Sequence, residues 1–188
     1  MSTTDGPEQN ELKKTSLVPS RTAFVSGHID LTQEAFLKHY QSALDKAIAN
    51  NEDFILSNAG GADSLALQYL LDRKVSPSRI TIYIHTPPAR RQKPGGANET
   101  MRRIDRLRTG PEILDQYRKN GLGVKVVDGW HTDRDTTMTR DSDYNILWIR
   151  PDEETKALYG SKYRPGRVSG TQKNKDRREQ LKMSNEAS

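Results

Sequence analysis

The chain has no cysteine in its 188 residues. That excludes a disulfide scaffold, a thiolate metal site and a cysteine nucleophile. It also has no apolar run near the roughly 18 residues that a membrane-spanning helix needs. The opening residues, Met1-Ser-Thr-Thr-Asp-Gly-Pro7, are polar, with no apolar segment of the kind a secretory leader carries. A cytoplasmic protein without contact to a membrane is therefore expected. Aromatic residues are scarce, at 6%, and hydrophobic residues make up only 32%. The shortage is uneven. Residues 21–150 hold 49 hydrophobic residues in 130, whereas the other 58 hold 12. The central stretch is thus long and apolar enough for one domain with its own core.

Charge is uneven too. The net charge is +5, yet residues 86–110 and residues 162–188 each carry +5, so the remainder sums to −5. Two basic segments on an acidic body suit an anionic partner, although solvated charge runs give the same pattern.

Short β-branched and apolar runs alternate with helical periodicity. Strands are expected at 22–26, 54–57, 80–84, 123–127 and 144–149. Thr32 is a good N-cap for a helix in which Phe36, Leu37, Tyr40, Leu44, Ala47 and Ile48 recur at helical spacing, ending at Asn50-Asn51. Further helical patterns cover 62–71, part of 101–119 and the stretch from Ser169 to Met183, while 132–143 reads as a polar helix or loop. Alternation of this kind specifies an α/β fold: a doubly wound sheet of about five mainly parallel strands with helices on both faces. Residues 1–20 are expected to be a disordered arm, 21–183 a single domain with a basic loop at 86–110, and 184–188 a tail.

Ligands of such folds bind at the C-terminal ends of the strands. After the first strand comes Ser26-Gly27-His28-Ile-Asp30. Gly27 allows a tight turn, and His28 is a hydrogen-bond donor for a phosphate or base, or else caps the turn. Asp30 is a candidate carboxylate or a helix N-terminal charge. After the second strand, Asn58-Ala-Gly60-Gly61-Ala-Asp63 runs straight into a helix, which suits a phosphate or a ribose; Asp63 is either functional or a helix N-terminal acid. It is neither a dinucleotide-binding fingerprint nor a P-loop, so no Walker-type ATPase is expected. Late in the chain, Arg164, Arg167, Arg177 and Arg178 surround Ser169-Gly170-Thr171, a second candidate anion cradle with hydroxyl donors. Asp128, His131, Asp133, Asp135, Asp141 and Asp143 follow no metal-ligand spacing, and no metal or cofactor is expected.

Phe24-Val-Ser-Gly-His28, Asn58-Ala-Gly-Gly-Ala-Asp-Ser-Leu-Ala66 and Ser169-Gly-Thr171 together resemble the SLOG superfamily, which includes the DNA-processing DprA proteins and the Lonely Guy phosphoribohydrolases. The resemblance spans roughly residues 21–183. It implies a Rossmann-like fold that binds nucleotides or their derivatives through Ser26, Gly27, His28, Asn58, Gly60, Gly61, Arg167, Ser169, Gly170, Thr171 and Asn174, and it leaves a homo-oligomer open. In the hydrolases the late motif ends in Glu; here Asn174 stands in its place. Asp63 or Asp30 would then have to supply the carboxylate for cleavage of an N-glycosidic bond. Three functions follow as expectations: a hydrolase or transferase acting on the N-glycosidic bond of a nucleoside 5′-phosphate, a non-catalytic nucleotide binder or sensor, and a DprA-like binder of single-stranded nucleic acid.

Overall fold

A computed structural model describes residues 20–86 and 110–187. The expected N-terminal arm and almost all of the basic loop at 86–110 lie outside the described residues. Five strands form one parallel sheet: β1 (Thr22–Ser26), β2 (Asp53–Ser57), β3 (Ile80–Thr86), β4 (Gly123–Asp128) and β5 (Tyr144–Leu147), in the order β4-β3-β2-β1-β5. The described helices are α1 (Gln33–Ala49), α2 (Ala62–Asp72), α3 (Pro111–Lys119), α4 (His131–Arg140), α5 (Asp152–Tyr159) and α6 (Gly170–Glu186), with short 3-10 turns at Pro77–Arg79 and Gly160–Lys162.

The side-chain alternation of the strands divides the core in two. Ala23, Val25, Phe54, Leu56, Ile80, Ile82 and Ile84 point to one face, where α1, α2 and α3 cover them. Phe24, Ile55 and Tyr83 point to the other, against Met138 of α4. The continuous apolar strands of the sequence are the consequence of this double cover.

Helix α1 shows how local signals set the boundaries. The Thr32 hydroxyl accepts from Ala35 N at 3.2 Å and starts the helix. Phe36, Tyr40, Leu44 and Ala47 then fall on one face and are fully buried. Each of the large ones contributes about 1.5–3 kcal/mol by leaving water. Asn51 ends the helix at φ 59, a conformation asparagine tolerates better than most residues.

The structure differs from the sequence reading at several points: β3 runs on to Thr86, and helix α6 runs to Glu186, into the residues expected to be a tail. Strand β5 stops at Leu147, not at residue 149. Helix α5 has no counterpart among the expected elements, although Pro151 followed by Asp152, Glu153 and Glu154 is a helix-start signal, because acids stabilise the positive N-terminal end. No helix among the described residues is long and apolar enough to cross a membrane.

From β1 to β4 the chain steps outward in one direction. It then returns to place β5 on the far side of β1. The strand order therefore reverses between β1 and β5, and a crevice opens where their connections part.

Candidate functional site

Where β1 and β5 end, the buried Tyr40 hydroxyl stands between them. It donates to Ser26 O at 2.9 Å and accepts from Trp148 N at 3.1 Å. Burial, against the opposing hydrogen bond from Trp148 N, pushes this phenol up to about 12, so it stays protonated. A Cβ on Gly27 would lie 2.3 Å from that hydroxyl and 2.3 Å from Ala62 Cβ. Gly27 is thus required because β1 turns directly over α1 and α2.

Beyond this wedge lies a cleft of roughly 840 Å³. Its walls are the β1–α1 turn (Gly27–Asp30), the segment Ile149–Asp152 after β5, α5 with the following loop, and the start of α6. His28 Nε2 accepts the Arg150 amide N–H at 3.1 Å, so Nε2 carries no proton and the neutral ring holds its hydrogen on Nδ1. Burial lowers the pKa of His28, and the nearby Arg150 lowers it further, against the opposing pull of Asp30. At neutral pH His28 is an uncharged hydrogen-bond donor.

Asp30 accepts from Arg150 Nη2 at 2.8 Å and from the Tyr159 hydroxyl at 2.5 Å. Burial alone would raise its pKa, but these two partners outweigh it and hold the carboxyl below its ordinary value. Asp30 is ionised. Lys162, Arg164 and Arg167 also line the cleft, and their side chains have no ion-pair partner among the described residues. The α6 N-terminus opens here, with the Ser169 hydroxyl accepting from Gln172 N at 3.1 Å as its cap. Ile29, 74% exposed, and Val168, 50% exposed, add apolar surface to the same cleft.

Helix α6 is held in place from below. Asn174 Nδ2 donates to Ser26 Oγ at 2.7 Å, Asn145 Nδ2 donates to Asn174 O at 3.0 Å, and buried Arg178 donates to Ser142 and Asn145. Burial lowers the Arg178 pKa, since its acceptors are neutral. Arg178 is therefore a tie between α6 and the sheet, not a cation offered to a ligand.

The structure brings together Gly27, His28, Asp30, Arg167, Ser169, Gly170 and Thr171 around one cleft. It places the other expected site residues elsewhere. Ser26 and Asn174 are buried against each other. Asn58, Gly60 and Gly61 do not line the cleft. The α2 N-terminus faces the chain behind His28: Ala62 N donates to His28 O at 3.0 Å, and a Cβ on Gly61 would lie 2.2 Å from that oxygen. Gly61 also sits at φ +66, where an L side chain is strained. Gly61 thus permits close approach of two backbones, whereas a Cβ on Gly60 would meet only Ile29 O, at 3.9 Å. Asp63, 5% exposed, accepts from Ser57 N at 2.8 Å and fixes the β2–α2 turn.

The other acids also have structural partners. Asp128 accepts from Thr86 Oγ1, Asp133 from Trp130 N, Asp141 from Tyr83 and Lys125, and Asp143 from Thr22 N, while Asp135 pairs with Arg134. Sequence reading missed Arg150, Tyr159 and Lys162. The first follows a strand and could have been found by that rule; the others sit on the helix and turn that were not foreseen.

The fold is that of a doubly wound, Rossmann-like α/β domain with a cleft at its topological switch point. The chain matches no family model, no curated protein and no solved structure.

Proposed function

We propose that this protein binds a nucleotide or a closely related ribose phosphate in the cleft between β1 and β5. The observation that carries this reading is that Lys162, Arg164 and Arg167, which have no ion-pair partner among the described residues, line the same cleft as the capped start of α6 at the switch point. Such a set matches a phosphate in charge and in hydrogen-bond donors. Ile29 and Val168 provide apolar contact for a flat base, and His28 provides a neutral donor. The resemblance to SLOG proteins at Ser169-Gly-Thr171 supports the same assignment.

Equilibrium titration with a panel of nucleoside monophosphates and with ribose 5-phosphate tests the reading. Saturable binding that weakens in Arg164→Gln is expected. Absence of binding across the panel would refute it.

Asp30 favours turnover as a second activity. An ionised carboxylate held in the cleft by Arg150 and Tyr159 is suited to stabilise the positive charge that develops on a ribosyl carbon as its bond to the base breaks. The bonding pair would leave with the base nitrogen, which takes up a proton, while a water oxygen would add to the ribosyl carbon and give up one of its own. Release of free base, abolished in Asp30→Asn, is the expected result. Binding without any free base would leave the protein a binder or sensor, the role that Asn174 in place of a glutamate favours.

A further inference from the structure

A second cleft, of roughly 460 Å³, adjoins the first at the start of α6. Arg167, Val168 and Gly170 line both clefts. His131, Thr132 and Asp135 of α4 and Lys173 and Arg177 of α6 complete the second one. Its one carboxylate is already matched: Asp135 pairs with Arg134 at 2.8 Å, with both side chains nearly buried. The cations are not matched. Lys173 has no ion-pair partner among the described residues, and Arg177 donates to the neutral Asn174 side chain. Lys173 and Arg177 are four residues apart and so share one face of α6. With Arg167 they leave this cleft with an excess of positive charge, which raises the local concentration of anions.

The two clefts communicate over Gly170. A Cβ there would meet no heavy atom within 4 Å among the described residues beyond its own chain neighbours, so the space above Gly170 is open. A ligand crossing the start of α6 there meets the Gly170 backbone beside the shared Arg167 and Val168.

We infer that the second cleft is a subsite for an outer phosphate, and that the preferred ligand is a nucleoside di- or triphosphate whose chain crosses Gly170 from the first cleft to Arg167, Lys173 and Arg177. The inference rests on the first cleft being a nucleotide site. It adds a selectivity that a monophosphate site alone does not have.

The test is calorimetric titration of the full chain with a nucleoside monophosphate and with the diphosphate of the same base, at one pH and ionic strength. The diphosphate should bind about tenfold more tightly, the scale of one added charge-assisted contact. Lys173 is exposed, so Lys173→Glu should fold normally. It should bring the diphosphate down to the affinity of the monophosphate and leave the monophosphate unchanged within about twofold. Lys173→Gln should fall between the two. Equal affinities in the unaltered protein would overturn the inference while leaving the first cleft a nucleotide site. So would a Lys173→Glu variant that weakens both ligands alike, since that is a general charge effect. Failure of both nucleotides to bind would remove the reading of the first cleft, and the outer subsite with it.

Discussion

At the scale of single residues, the switch point depends on a few buried polar groups. Tyr40 satisfies Ser26 O and Trp148 N at once, and it does so where β1 and β5 separate. Tyr40→Phe keeps the ring but leaves both groups unpaired. It should cost about 1–3 kcal/mol in chemical denaturation. Asp63 acts differently. Burial, only partly offset by hydrogen bonds from Ser57, pushes its pKa from 3.8 up to about 6. Between those two values the folded protein holds a proton on Asp63 that the unfolded chain has lost. The contribution of Asp63 to stability is therefore greatest below the unfolded value and falls as pH rises through about 6. Asp63→Asn keeps an acceptor for Ser57 N and removes the charge. The difference in unfolding free energy between this variant and the parent should shift in favour of the variant as pH rises from 4 to 7, by about 2 kcal/mol. A difference that stays flat across that range would show that Asp63 is not strained by burial.

At the scale of elements, the helices with strong end signals were legible and the loops between them were not. Thr32, the Asn50-Asn51 stop and Ser169 marked boundaries that the fold keeps, because each signal is a local hydrogen bond or a local conformation. The β2–α2 turn was legible as a turn but not in its role. Two glycines before a helix read equally well as an open anion cradle or as a place where two backbones must touch. Only the fold puts His28 O against Gly61, a contact that the sequence does not encode. Gly61→Ala meets both a left-handed φ and a 2.2 Å contact with that carbonyl. It should destabilise the domain by about 2 kcal/mol or more, read as a lower thermal midpoint. Arg178 misled for a related reason: in sequence it belongs to a basic run, whereas its helical phase turns it toward Ser142 and Asn145. Burial phase is legible on an apolar helix, but α6 has too few apolar residues to reveal it.

At the scale of the molecule, alternating strands and helices were enough to specify a parallel sheet covered on both faces, since apolar runs without alternation require two covers. They did not give the strand order. The return of β5 to the free edge of β1 creates the cleft, and it depends on long-range pairing such as Ser26 with Leu147, which no local pattern encodes. The same return brings His28 and Asp30, near the start of the chain, beside Arg150, Tyr159 and the start of α6. We propose that an anionic nucleotide is held there by cations that have no ion-pair partner among the described residues. The most direct measurement is the dissociation constant of a nucleoside monophosphate for the parent protein, for Arg167→Gln and for Arg118→Gln, which loses the same charge on the remote helix α3. The account predicts binding that weakens about tenfold in Arg167→Gln, the scale of one charge-assisted contact, and is unchanged in Arg118→Gln. Equal weakening in both variants, or no binding in the parent, would contradict it.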